Sequence, residues 1–123
     1  MFGGSNPAAV LYMKNAFIEK NPATTQALTN ALFKALKWIE KATPEEIAAN
    51  VPEEYLLGDP ALYTAAVKAS KPSYSITGII PADGMKSTFD MLVKFDEEIK
   101  GSNVDLSRTF IPTFAIKAGE LVK

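Results

Sequence analysis

Three times after the first ten of its 123 residues the chain sets a small polar side chain directly before proline: Asn21-Pro22, Thr43-Pro44 and Asp59-Pro60. Each pair marks a helix start. The polar residue can accept from the unsatisfied N–H groups of the first turn, and proline at the first helical position loses nothing by lacking an N–H. A chain punctuated in this way is committed to helices wherever the residues behind each start repeat at helical spacing.

Behind Pro22 they do. Leu28, Leu32, Ala35 and Ile39 recur at three and four residues, with Ala31 and Leu36 widening the stripe. Lys34, Lys37 and Lys41 crowd the second half, where positive charge suits the carbonyl end of the dipole. The spacing predicts a helix over Pro22–Lys41. At Thr43-Pro44-Glu45-Glu46, Glu46 can reach back to complete a capping box, and Pro52 should stop this helix near Val51. Asp59-Pro60 starts a helix over 61–70 with Leu62, Ala65, Ala66 and Ala69 on one face, ended by Lys71-Pro72.

The rest of the chain is read the same way. Gly78 permits a turn in the connection over 74–80. Pro81 opens a helix carried by Met85, Phe89, Leu92, Val93 and Phe95 and closed by Gly101. Asp105 caps a last helical stretch, which Pro112 restarts or kinks and Gly119 ends. Near the start, the apolar run 8–13 has a length that fits a buried strand better than a helix, and Phe17, Ile18 and Glu19 form a brief helical connection. The expected class is mainly α, with five or six helices and one or two short strands. Phe2, Val10, Leu11, Phe17 and Ile18, with Phe110, Ile111 and Phe114 near the end, are apolar beyond what short helices can cover among themselves. A sheet is missing from this inventory.

Two absences narrow the chemistry. Without cysteine there is no thiolate nucleophile, disulfide or thiolate metal site, and without histidine the side chain that most readily moves protons near neutral pH is gone. The reading is of a protein that is not an enzyme and needs no cofactor or metal. Thirteen basic residues against fourteen acidic ones, scattered along the chain, offer no stripe to a phosphate backbone, so nucleic acid is not an expected partner. No segment has the roughly 20 apolar residues that span a bilayer, and direct membrane insertion is not expected.

The paired acids Glu45/Glu46 and Glu53/Glu54 read as structural, the first pair lying in a helix's opening turn. Asp96, Glu97 and Glu98 match no calcium loop and read as a solvated helix end. Gly3-Gly4-Ser5-Asn6 carries more: adjacent glycines let backbone N–H groups approach an anion, and Ser5 and Asn6 add donors, although a plain turn is the simpler reading. Tyr12 and Trp38 could stack on a ligand, but Trp38 sits in a periodic helix and reads as a core or helix-packing residue.

The run Gly3-Gly4-Ser5-Asn6-Pro7-Ala8-Ala9-Val10-Leu11-Tyr12, followed by Phe17-Ile18-Glu19-Lys20-Asn21-Pro22, resembles the late region of periplasmic solute-binding proteins of the nitrate/sulfonate/taurine family. So do Ala27-Leu28-Thr29-Asn30-Ala31-Leu32, Ala35-Leu36-Lys37-Trp38-Ile39, Thr43-Pro44-Glu45-Glu46-Ile47 and Val51-Pro52-Glu53-Glu54-Tyr55. Gly78-Ile79-Ile80-Pro81 and Val104-Asp105-Leu106-Ser107-Arg108-Thr109 resemble its closing helices. The family includes binders of thiamine-pyrimidine precursors.

What the resemblance implies is a C-terminal fragment of a two-lobed α/β protein that feeds a small polar or anionic solute to an ABC importer. Residues 1–20 would be a segment near the crossover between lobes, and 21–123 the helical part. The parent would be periplasmic and would dock on the permease; this chain shows no export signal of its own. Gly3, Gly4, Ser5 and Asn6 would be the ligand-binding residues, with Tyr12 beside them. Phe17, Leu28, Phe89 and Phe114 would pack on a sheet that the chain lacks, and a homodimer is expected to cover them instead. The competing reading is a self-sufficient helical interaction module without transport function.

Overall fold

The structure is a computed structural model that describes residues 6–56 and 58–122. Among the described residues it is all helical, without strands. In chain order the helices are α1 (Asn15–Lys20), α2 (Pro22–Lys41), α3 (Pro44–Ala49), α4 (Pro60–Ser70), α5 (Ala82–Phe95), α6 (Glu97–Lys100) and α7 (Thr113–Leu121). Single 3-10 turns lie at Glu53–Tyr55, Lys71–Ser73 and Leu106–Arg108.

The proline-led starts fall where the sequence puts them. Thr43 Oγ1 accepts from the Glu46 N–H at 3.1 Å while Glu46 Oε2 accepts from the Thr43 N–H at 2.7 Å, a complete capping box. Asp59 Oδ1 accepts from the Leu62 N–H at 2.9 Å. At the head of α2 the expected cap is different: the Asn21 amide does not accept from the first turn but donates to the Phe17 carbonyl, closing the end of α1. One residue therefore serves as the joint between two helices.

Four further expectations are corrected. The stretch 8–13 has no regular structure, bends at Ala9 and forms no strand, because no neighbouring edge among the described residues is there to satisfy its backbone groups. The helix expected from Pro81 to Gly101 breaks at Asp96, whose carboxylate accepts from the N–H groups of Glu98 and Ile99 and so opens α6. Gly119 does not end α7, which runs on to Leu121. Trp38 is not core: it is 44% exposed on α2.

Packing divides into two small nuclei. α2, which is roughly 30 Å long at 1.5 Å per residue, carries α7 on the side of Phe33, and Phe33 and Ala118 are buried there. Gln26 Nε2 spans the pair, donating to the Phe114 carbonyl at 3.0 Å. The second nucleus joins the end of α2 to the α3–α4 pair through Ala42, Ile47 and Val67, with Ile39 and Tyr63 half-buried against them. Lys71 ties it shut by donating to the Ala42 carbonyl at 2.6 Å. α5 packs mainly with α6 and the turn at Leu106–Arg108.

The accessible surface is 9354 Å². A compact monomer of 13.3 kDa would expose roughly 6,500 Å². Large apolar side chains are part of that surface: Phe17, Leu28, Leu32, Trp38, Leu62 and Phe95 are all exposed. No helix among the described residues is long and apolar enough to cross a membrane.

Candidate functional site

Of the residues that the sequence singles out for solute binding, Gly3, Gly4 and Ser5 lie outside the described residues. Asn6 and Tyr12 are described, and they have different settings. Tyr12 is 88% exposed and makes no hydrogen bond among the described residues. Asn6 is held against α5, where Thr88 Oγ1 donates to its Oδ1 at 2.5 Å. Thr88 Oγ1 also stands 2.9 Å from the Gly84 carbonyl, one turn back. A hydroxyl has a single proton to give, so the two acceptors compete for it. Either way the Asn6 amide N–H groups stay free of protein acceptors among the described residues. They are donors of the kind an oxyanion takes.

Thr88 was not legible in the sequence as part of this site. It lies 82 positions from Asn6, and a lone threonine inside a helix carries no local signal. The next residues along the chain run outward: Ala8, Ala9, Val10 and Leu11 are exposed, and the chain is next fixed at Met13, whose sulfur lies 3.8 Å from Thr25 Oγ1. Asn6 and Tyr12 are thus not brought together around one cavity.

Neither of the two best-formed clefts among the described residues includes Asn6 or Tyr12. One, of about 310 Å³, has walls of Leu36, Ile39, Pro72, Tyr74 and Ile76. Its polar groups are Glu40, Lys68, Lys71 and Ser75, of which Lys71 is already committed to the Ala42 carbonyl. The other, of about 500 Å³, lies along the α2–α7 seam and includes Gln26, Asn30, Phe114 and Lys117. Gln26 is spent there on Asn30 and Phe114. Neither cleft gathers free donors about one point, which is what fixes a small anion.

The acidic residues have local duties. Glu46, Asp59, Asp96 and Asp105 accept from backbone N–H groups at helix or turn starts. Glu40, Asp90 and Glu97 pair with Lys37, Lys86 and Lys100 on exposed helix faces, where such pairs contribute about 0.5 kcal/mol or less each.

Residues 4–52 match the model of the NMT1-like family. The match supports the nitrate/sulfonate/taurine-binding family over that part of the chain, about two-fifths of its length. It takes in Gly4, Ser5, Asn6 and Tyr12 together with α1, α2 and α3. No curated protein and no solved structure matches the chain.

Proposed function

We propose that this chain is the C-terminal part of a solute-binding protein that captures a small polar or anionic solute for an ABC importer. Nitrate, sulfonates, taurine and pyrimidine precursors are the solute classes of the reading. The observation that carries it is the NMT1-like match over residues 4–52, which spans the segment before α1 and the long helix α2 in one continuous stretch. The surface is a second support: a piece of a two-lobed protein has apolar faces that its own residues do not cover, and this chain exposes far more area than its mass requires.

In this reading Gly3, Gly4 and Ser5 present backbone and hydroxyl donors to the solute, and Asn6 adds its amide while Thr88 fixes the other end of that side chain. Capture is by lobe closure, driven by tighter binding of solute to the closed state. No step of it is catalytic. The parent works in the periplasm and hands the solute to the permease.

The test is the gene. The reading frame upstream of Met1 is sequenced, the complete polypeptide is expressed, and nitrate, taurine, alkanesulfonates and hydroxymethylpyrimidine are titrated into it by calorimetry. Saturable binding by a two-lobed polypeptide is the expected result. A frame without a lobe-coding extension, or a complete polypeptide that takes none of these solutes, overturns the reading. The first of those results would favour the alternative, a helical interaction module without transport function, for which the exposed apolar face of α2 is the supporting observation.

A further inference from the structure

We infer that the cleft along the α2–α7 seam is a binding site for a small organic acid with an apolar body. Its chemistry follows from one carbonyl. The Phe114 backbone oxygen can only accept, so the Gln26 side chain that meets it at 3.0 Å must present its amide nitrogen there. That nitrogen has a second proton, which goes to Asn30 at 2.8 Å, and Asn30 must therefore turn its oxygen toward Gln26. A group on the facing helix thus fixes the orientation of both amides. The end of Asn30 turned away from Gln26 is its N–H pair, which meets no acceptor among the described residues.

Lys117 lies one turn beyond Phe114 on α7 and lines the same cleft. Its ammonium pairs with no carboxylate among the described residues. The seam therefore has a donor pair on one wall and a cation on the other, both suited to an oxyanion, and no acidic side chain lines it. The remaining lining is apolar, with half-buried Phe114 beside Leu121 and Ala23. A cleft of about 500 Å³ with apolar walls and a few placed polar groups is the form that small-molecule sites take. The donors stand on facing helices and do not close around one point, so nitrate or taurine gains little there. An acid with an apolar body adds the burial that a bare anion lacks. A single lysine selects a monoanion.

The site is separate from the Asn6 segment, and the inference does not depend on the solute-binding reading. The probe is phenylpropionate, titrated into this chain and followed by amide NMR shifts. Saturating shifts centred on Asn30, Phe114 and Lys117 are expected, with a Kd of about a millimolar for a ligand of this size. Phenylpropanol, which has the same body without the charge, should bind at least about tenfold more weakly. Asn30→Asp is the discriminating variant. An aspartate still accepts from Gln26 and keeps the seam together, but it turns a carboxylate to the ligand in place of donors. Binding should be lost while the urea midpoint stays where it was. Lys117→Gln, at an exposed position, should weaken binding about tenfold and carries the test should Asn30→Asp unfold. Equal affinity for the acid and the alcohol overturns the inference, as does full affinity in either folded variant or a titration that leaves the seam unshifted.

Discussion

Gly78 and Gly119 lie against the same ring: a Cβ on Gly78 would stand 3.5 Å from Cδ2 of Phe33, and one on Gly119 3.7 Å from its Cζ. Both distances are ordinary contact, so neither glycine is demanded by space. Backbone separates them. Gly78 has a φ of +66°, whereas Gly119 is an ordinary residue of α7. Gly119→Ala should therefore stabilise the chain by about 0.5–1 kcal/mol, through helix propensity and one added contact. Gly78→Ala should destabilise it by about 1–2 kcal/mol, the cost of a left-handed conformation for a residue with a Cβ. Urea unfolding followed by circular dichroism, at one protein concentration, measures both. Shifts of the same sign would mean that the ring, not the backbone, sets the outcome.

Phe33 itself is the anchor of the α2–α7 nucleus, at 5% exposure. Phe33→Ala should cost about 3–5 kcal/mol, from lost transfer energy and the cavity left between the two helices. Few other large side chains are buried to compensate, so that loss is expected to unfold the chain at room temperature. Leu62→Ala, at a 65% exposed site, should change stability by less than about 0.5 kcal/mol. Similar unfolding midpoints for the two variants would contradict this division of the chain into nucleus and surface.

Lys71 links the end of α2 to the α3–α4 pair. The Ala42 carbonyl is among those that a helix end leaves without an internal partner, and the Lys71 ammonium supplies one from 29 positions away. Lys71→Met keeps the apolar stem and removes the charge and the donor. The expected loss is about 1 kcal/mol, given favourable placement at the dipole's negative end and partial exposure to solvent. Hydrogen exchange should localise it, with faster exchange in α3 and α4 than in α7. Uniform acceleration through all helices would refute the local role.

What the sequence makes legible follows from how far each signal reaches. The starts of α2, α3 and α4 are written in adjacent residues, and the Thr43–Glu46 box spans a single turn, so local chemistry is enough. The break at Asp96 is harder to read. There a side-chain cap competes with a continuing apolar stripe, and the cap wins. Gly119 carries the sign of a helix end, yet α7 continues because Ala118 is buried against α2 and the packing outweighs a propensity penalty of about 1 kcal/mol. The strand expected over 8–13 fails for a non-local reason, since pairing needs an edge. The site suffers most from this limit: Asn6 is read from its neighbours, whereas its partner Thr88 is set by the fold.

The chain taken alone should bind nitrate, taurine or alkanesulfonates weakly or not at all. A site for a small anion needs several donors converging on one point and enough wall to exclude water. Here the apolar cleft beside Tyr74 has its inner lysine committed to Ala42, and the seam between α2 and α7 has its glutamine committed to Phe114. Asn6 offers amide protons that meet no acceptor among the described residues, but from an exposed position. A single exposed amide competes with water for an oxyanion at little net gain, because a hydrogen bond made in solvent replaces another of similar strength. Adding the rest of a two-lobed polypeptide would supply the opposing wall and further donors, and affinity should appear only then. Calorimetric titration of the chain with each solute, beside the complete polypeptide, checks both halves. Saturable micromolar binding by the chain alone would place the whole site within these 123 residues and remove the need for a second lobe. A Thr88→Val variant of the complete polypeptide adds a finer test. If Thr88 orients the Asn6 amide, solute affinity should fall several-fold with the fold unchanged. Unaltered affinity would show that Thr88 does not orient the Asn6 amide.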